Sequence, residues 1–112
     1  MVPKFRAWDK NNNKMISWRY LLNGYNLRNV FMRTEMCGLV LMQSTGLKDK
    51  NGVEIYSGDI GWDVYGEEYG QVVLENGCFV FESVSVSRKL SDVVKDIEIV
   101  GHIYQNSDLL FN

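Results

Sequence analysis

The sequence predicts a mainly β protein with a minor α component, built as a small barrel or curled sheet with one or two short helices. Its 112 residues, 46% of them hydrophobic and 23% charged, suffice for one domain with a buried core. Ten glycines and numerous asparagines, against a single proline, interrupt the chain at short intervals. Between them lie short segments with β-type alternation, and such segments joined by Gly/Asn turns are typical of small barrels.

The chain opens with a predicted β-hairpin. Residues 4–8 alternate, with Phe5 and Ala7 on one face, as in a half-buried strand. Residues 9–13 are Asp, Lys and three Asn, which favour a polar turn because Asp and Asn bond their own backbone and tolerate positive φ. Residues 14–20 then return as the second strand.

Residues 21–36 carry a mixed signal. Leu27, Val30 and Phe31 have helical spacing, whereas Asn23-Gly24 favours a loop. We therefore expect a loop that contains at most one short helix.

The middle of the chain predicts a strand, a turn and a hairpin. The continuous apolar run at residues 39–42 predicts a fully buried strand, and residues 45–52 end in an Asn-Gly pair that favours a tight turn. Two β-rich runs, residues 70–75 and 78–82, surround Asn76-Gly77. A two-residue Asn-Gly link between such runs predicts a type I′ hairpin.

Residues 83–112 predict a break, a helical turn and a last strand. The apolar residues change from odd positions (Phe79, Phe81) to even ones, which requires a bulge or a turn. Residues 90–97 have helical spacing, with Ser91 as the expected N-cap. Residues 97–104 follow as a strand that carries its isoleucines on one face and His102 on the other, and the apolar tail after Asn106 should dock.

The composition excludes several kinds of site. One His and two distant Cys cannot form a zinc site of His and Cys or a disulfide scaffold. Cys37 and Cys78 lie in apolar surroundings, which indicates free, buried thiols and a cytoplasmic location. The sequence contains no run of about 18 apolar residues, so we expect no membrane span.

The net charge of −2 conceals an asymmetry between the two halves. Residues 1–56 contain nine Lys/Arg and four acids, whereas residues 57–112 contain three Lys/Arg and ten acids. Opposed halves can attract each other within a chain or between subunits, and a basic half can also serve an anionic partner. Without repeats or a linker, we divide the single domain into subparts 1–44 and 45–112.

We expect no catalytic residue, metal or cofactor. His102 is the only side chain with an ordinary pKa near neutrality, and no Ser or Cys stands at a spacing that it could activate. An acidic stretch could bind a hard cation, but a solvated loop is the favoured interpretation. Its carboxylates are Asp59, Asp63, Glu67 and Glu68.

The basic half mixes cations with aromatic residues, a composition of protein interfaces and of single-stranded nucleic-acid surfaces. An oligomer interface is the favoured interpretation, ahead of ordinary surface and of nucleic-acid binding, since a pI of about 5.3 is far from that of dedicated nucleic-acid binders. The candidate interface residues are Lys4, Arg6, Trp8, Trp18, Arg19, Tyr20, Tyr25, Arg28 and Arg33.

Three blocks resemble the YopX family, in the family's order: KFRAWD at residues 4–9, TGLKDKNGVEIYSGDI at 45–60 and IVGHIYQN at 99–106. Gly61 departs from the family, which more often has a β-branched residue there. The resemblance implies a phage or prophage protein, an SH3-like barrel in the C-terminal subpart beside the N-terminal hairpin, and self-association. It supplies no activity and no catalytic residues. Turn chemistry gives the central block a structural role, carried by Gly46, Asp49, Gly52, Tyr56, Gly58 and Asp59.

We therefore expect a non-enzymatic, cytoplasmic phage accessory protein that binds itself and then a host or phage protein. One alternative is an accessory nucleic-acid binder that uses the basic, aromatic half. Another is a small enzyme or ligand-sequestering protein with a pocket between subunits.

Overall fold

A computed structural model describes residues 4–32 and 38–111, and it confirms a mainly β fold with 49% strand and 27% helix. A curled half-barrel sheet and a second sheet are accompanied by a few short helices. The chain divides into two compact units, Met1–Ser44 and Thr45–Asn112. None of the helices in the two described ranges has the length and apolar composition needed to cross a bilayer.

The first unit is built on antiparallel strands. Strand β1 (Phe5–Asp9) pairs with β2 (Lys14–Ile16) on one side and with β3 (Leu39–Lys48) on the other. The turn between β1 and β2 forms as predicted. Asp9 Oδ1 accepts hydrogen bonds from the backbone N–H groups of Asn11 (3.0 Å) and Asn12 (3.2 Å), and Asn13 has a φ of 52°.

Strand β1 is covered on both faces, so the expectation of a half-buried strand is wrong. Ala7 and Trp8 point to opposite faces, and their exposed fractions are 0% and 5%. The alternation of apolar and polar residues placed Trp8 on the outer face with Lys4 and Arg6. An indole buries a large apolar area whichever face it occupies, and period alone does not show that the outer face is covered.

Two short helices follow β2, where the sequence predicted a longer strand and then a loop with at most one short helix. Helix α1 spans Trp18–Gly24 and helix α2 spans Leu27–Met32. Ser17 ends the extended segment because its Oγ accepts a hydrogen bond from the N–H of Tyr20 (3.3 Å) and so caps α1. The core of this unit consists of Ala7, Ile16, Leu21, Val30 and Leu39.

Strand β3 is longer than the apolar run predicted, and it is only partly buried. Leu39 and Met42 are buried, whereas Val40 and Leu41 are half-buried. The expected turn over residues 45–52 is confined to its second half, since β3 continues to Lys48.

The elements of the second unit, after the end of β3, are β4 (Glu54–Tyr56), β5 (Asp59–Asp63), β6 (Glu68–Glu75), β7 (Cys78–Ser83), β8 (Ser87–Lys89), α3 (Leu90–Val93), a 3-10 turn (Val94–Asp96), β9 (Ile97–His102), α4 (Ile103–Asn106) and a second 3-10 turn (Ser107–Phe111). Five of these strands form an antiparallel sheet of the order β8-β7-β6-β5-β9. The last strand pairs with β5, and a helical turn precedes it.

The hairpin of β6 and β7 is confirmed. Glu75 pairs with Cys78, and the two linking residues, Asn76 and Gly77, have φ values of 51° and 79°, as a type I′ turn requires. The change of apolar parity after Glu82 is produced by a turn, in which Ser83 Oγ donates to the carbonyl of Val86 (2.9 Å).

Two details of the C-terminal segment differ from prediction. Helix α3 begins at Leu90 and its N-cap is Lys89, so Ser91 lies inside the helix because the burial of Leu90 and Val93 sets where it begins. A β-bulge also interrupts β9: Gly101 pairs with Ile60, but Ile99 pairs with Gly61. The bulge changes the face of the residues after it, and His102 is only 9% exposed.

The core of the second unit is built around Phe81, which is completely buried. Its ring lies over Gly61 and Gly70, which face each other on β5 and β6. A Cβ atom on Gly70 would lie 2.4 Å from Phe81 Cζ, and one on Gly61 would lie 2.4 Å from Ile97 Cγ2. Gly61, which departs from the family pattern, is thus required by the packing here. The other core residues are Ile55, Val72, Leu90 and Val93.

The central block ties the loop after β3 to the last strand. Asp49 Oδ1 accepts hydrogen bonds from the N–H groups of Asn51 (2.8 Å) and Val53 (2.9 Å), and its Oδ2 accepts one from Ile99 (2.8 Å). Asp59 is buried, and its Oδ2 accepts a hydrogen bond from the N–H of Tyr56 (2.8 Å). Gly46, Gly52 and Gly58 all have positive φ.

Candidate functional site

Helix α1 presents exposed aromatic and cationic side chains in the first unit. Leu21 is buried against the core and Trp18 packs against it, so the helix presents residues 19, 20, 22 and 23 to solvent. Tyr20 is 68% exposed, and Leu22 and Tyr25 are exposed as well. A helix period of 3.6 separates these two sets from one another.

Two depressions adjoin at Tyr20. The first has a volume of about 500 Å³ and is lined by Arg19, Tyr20, Asn23 and Gly24. The second, of about 340 Å³, is lined by Lys14, Met15, Ile16, Ser17, Tyr20 and Tyr25. The side chain of Tyr20 therefore stands between two hollows, each of which has one cation on its wall. We call Lys14, Arg19, Tyr20, Leu22, Asn23, Gly24 and Tyr25 the α1 surface.

The structure brings together only part of the predicted interface. Arg19, Tyr20 and Tyr25 belong to the α1 surface. Trp8 is buried, and Trp18 is half-buried with its ring centroid 6.1 Å from that of Phe5. Lys4 and Arg28 are exposed and Arg6 is half-buried, but none of them lines these depressions, and Arg33 lies outside the described residues.

Sequence analysis missed Lys14 because it was assigned to the strand and not to the surface beside the helix. In the hairpin, Lys14 pairs with Asp9. The pKa of Asp9 lies below its ordinary value, chiefly because Asn12 donates a side-chain hydrogen bond to it, with smaller contributions from backbone N–H groups and from the charge of Lys14. The position of Lys14 next to a predicted turn was the available signal.

A second surface lies on the outer face of the sheet in the second unit. Trp62 and Tyr69 pair across β5 and β6, with their rings in an edge-to-face contact at 4.8 Å between centroids. They line a depression of about 300 Å³ together with Glu67, Glu68, Val84, Leu109 and Leu110. An adjoining depression of about 200 Å³ adds Gln71, Glu82 and Ser83. We call these two depressions the acidic groove.

The predicted acidic stretch is split between the core and this groove. Asp59 and Asp63 are buried in the fold, whereas Glu67 and Glu68 line the groove. Among residues 4–32 and 38–111, no three His, Cys, Asp or Glu side chains are grouped so as to hold a metal ion. The two aspartates therefore form bonds inside the fold, and the two glutamates give the edge of the groove a negative charge.

The charge of Asp63 is compensated within the fold by an ion pair with Arg88. Its Oδ2 accepts a hydrogen bond from Arg88 Nη2 at 2.5 Å, and its Oδ1 accepts one from the N–H of Tyr65 at 3.0 Å. Burial alone would raise the pKa of Asp63, but hydrogen bonds from Arg88 and from the backbone of Gly66 and Tyr65 outweigh it and lower that pKa. Arg88 thus stabilises the charged form of the buried Asp63.

Glu68 stays ionised at the groove. Its Oε1 accepts a hydrogen bond from Ser85 Oγ at 2.5 Å. Hydrogen bonds from Ser83 and then Ser85 lower the pKa of Glu68 below its ordinary value, against a smaller opposing effect of burial. The lowered pKa favours the charged form of this carboxylate at the groove.

His102 and Cys78 are placed in separate structural roles. His102 is nearly buried, its backbone N–H donates to Asn106 Oδ1 (3.2 Å), and its ring lies 6.2 Å from that of Tyr104. Cys78 is a free, half-buried thiol at the start of β7. Cys37 lies outside the described residues, and so does any pairing between the two cysteines.

Comparison with known proteins shows a family and a similar solved structure. The family model described as YopX protein matches residues 4–111. The crystal structure of protein EF1440 from Enterococcus faecalis is 28% identical in sequence, with a TM-score of 0.69 over 98% of this chain and 99% of that one. No curated protein matches.

Proposed function

This chain belongs to the YopX family, and from that premise we propose that it is a phage or prophage accessory protein that acts by binding protein. Its first partner is a second copy of itself, and a host or phage protein follows. It works without catalysis or a cofactor, in the cytoplasm of the host cell.

The observation that carries this proposal is the composition of the α1 surface. Tyr20 and Leu22 on helix α1 and Tyr25 directly after it are exposed, and the cations Lys14 and Arg19 line the two depressions that adjoin at Tyr20. Tyr and Arg are among the residues that contribute most to binding energy at protein interfaces, particularly where they border an apolar pocket. Burial of the apolar surface of these side chains by a partner lowers the free energy of the complex.

Nucleic acid is the other partner that this composition fits, since cations beside exposed aromatic rings suit phosphates and stacked bases. The α1 surface, however, offers only Lys14 and Arg19 as cations. Two neutralised phosphates supply little of the electrostatic affinity on which non-specific nucleic-acid binding depends. Protein is therefore the favoured partner, and nucleic acid becomes an outcome of the test.

Size-exclusion chromatography with light scattering tests the proposal at tens of micromolar protein, at low and physiological salt. We expect a mass above that of the 12.9 kDa chain, which falls to the monomer in the double variant Arg19→Glu/Tyr20→Ala. Both side chains are exposed, so the fold should persist, and circular dichroism checks it. Lys95→Glu, an exposed site with the same charge change, serves as the control and should leave the mass unchanged.

A second variant blocks the surface without removing a side chain. A Cβ atom on Gly24 meets nothing within 4 Å, so Gly24→Gln should fill the first depression and also give the monomer. A wild-type chain that stays monomeric at both salt concentrations would overturn the proposal. So would a shift of single-stranded DNA or RNA that Arg19→Glu abolishes while the protein remains monomeric.

A further inference from the structure

We infer that the α1 surface of one copy docks into the acidic groove of the next, so that copies associate head to tail. The inference rests on the proposed self-association and names its second surface. Each copy then contributes one surface of each kind to the assembly.

The acidic groove has the chemistry of a site for an aromatic or aliphatic side chain flanked by cations. Its floor is the Trp62–Tyr69 pair, and Val84, at 91% exposure, stands at its edge. Leu109 and Leu110 form an apolar wall. Buried apolar area supplies affinity in such a groove, and exposure of this apolar area to water costs free energy until a partner covers it.

Carboxylates determine which partner the groove accepts. Glu67 and Glu68 line the larger depression and Glu82 lines the smaller one. Arg88 is bound to the buried Asp63, and Glu68 accepts a hydrogen bond from Ser85. Glu67 and Glu82 are exposed at the groove. A negative potential at the groove favours a cationic partner and disfavours an acidic one by like-charge repulsion.

The α1 surface supplies the complementary chemistry. Tyr20 and Leu22 provide the exposed aromatic and aliphatic side chains, and Lys14 and Arg19 provide the charge. Tyr20 lines both depressions, one of which also contains Arg19 and the other Lys14. The remaining aromatic of this surface, Tyr25, lines the second depression.

Charge disfavours pairing of like surfaces. Two α1 surfaces facing each other would oppose cations to cations, and two grooves would oppose carboxylates to carboxylates. Only the contact between unlike surfaces pairs opposite charges. One such contact leaves one α1 surface and one groove unoccupied in a pair of copies. These two either bind each other, which closes a dimer, or bind further copies, which gives a ring or a filament.

Complementation between two variants tests the inference. Variant A, Arg19→Glu/Tyr20→Ala, has a damaged α1 surface and an intact groove. Variant B, Glu67→Lys/Val84→Lys, has a damaged groove and an intact α1 surface, and both substituted side chains are exposed. We expect each variant alone to be monomeric. An equimolar mixture should form a 1:1 dimer and nothing larger, because only one contact between unlike surfaces remains. Glu75→Lys, an exposed site away from the groove lining, is the charge control for variant B and should assemble as the wild type does.

The outcomes separate the inference from the proposed function. If the wild type is monomeric, both fail. If variant A is monomeric but variant B still assembles, the groove is not the second surface and the proposed function stands. If both variants are monomeric and their mixture stays monomeric while the wild type assembles, the contact is not head to tail. Analytical ultracentrifugation of the mixture distinguishes these results.

Discussion

At the scale of single residues, the packing of the Phe81 ring determines which residues can occupy the two strand positions beneath it. Its ring occupies the space that two facing side chains would fill on β5 and β6, and both of those positions are glycine. Gly70 has an ordinary φ, so it is needed here for space and not for a special backbone conformation. A ring packed on bare backbone leaves no room for even one methyl group.

Gly70→Ala should therefore lower the free energy of unfolding by about 1–3 kcal/mol or more, as overpacking of a core does. Gly24→Ala is the matched control: its Cβ meets nothing, and the helix should gain up to about 1 kcal/mol. Urea denaturation measures both. In a double-mutant cycle, Phe81→Leu should reduce the cost of Gly70→Ala, since it removes the clashing ring atoms. Equal costs in both backgrounds would contradict the contact.

At the scale of elements, the strands of the second unit are joined by side chains as well as by backbone. The Asp63–Arg88 ion pair connects the end of β5 to β8, which lie at separate positions in the sheet. The Asp49 carboxylate similarly binds the loop before β4 to β9. Helix α1 depends on one buried residue, Leu21, because seven residues of helix are marginal in isolation.

The Asp63–Arg88 ion pair makes the free energy of unfolding depend on pH in the acidic range. Because the pKa of Asp63 is lower in the folded chain than its ordinary 3.8, its contribution is fully present above that value. The contribution is lost as the pH falls from there through the folded pKa. Asp63→Asn should lower the urea midpoint at pH 7, and that midpoint should decline less steeply below pH 4 than it does in the wild type.

Asp108→Asn, at an exposed site, is the control for this prediction and should behave as the wild type. A decline as steep in Asp63→Asn as in the wild type would contradict this assignment. Asp9 and Glu68, whose pKa values are also lowered, should maintain a residual slope.

At the scale of the whole molecule, charge is distributed unevenly along the chain. Nine of the twelve Lys and Arg residues precede residue 57, and ten of the fourteen acids follow residue 56. In the structure, cations of the first half lie on the α1 surface and carboxylates of the second half line the acidic groove. Because rim charges are exposed, attraction between them should be screened by salt.

Association should accordingly weaken as salt rises from 0.1 M to 1 M, over which the Debye length falls from about 10 Å to about 3 Å. Light scattering at one protein concentration should show a falling average mass. Gly24→Gln should remain monomeric throughout, which separates assembly from non-specific salting out. A mass that rises with salt would indicate an apolar contact without the charge pairing that we propose.

The sequence alone determined the features that depend on neighbouring residues. Asn76-Gly77 predicted its hairpin and residues 9–13 predicted their turn, since turn chemistry acts over a few residues and period two is visible along one strand. The short alternating segments between these turns also predicted the mainly β fold, which the structure confirms.

Only the tertiary structure decided the burial of Trp8, the formation of α1, and which charged residues share a surface. Lys14 lines one depression with Tyr20 because a hairpin and a helix pack on one core. Asp63 is buried and binds Arg88, a cation 25 residues away. Such placements depend on residues that are distant along the chain, and local propensity does not contain that information.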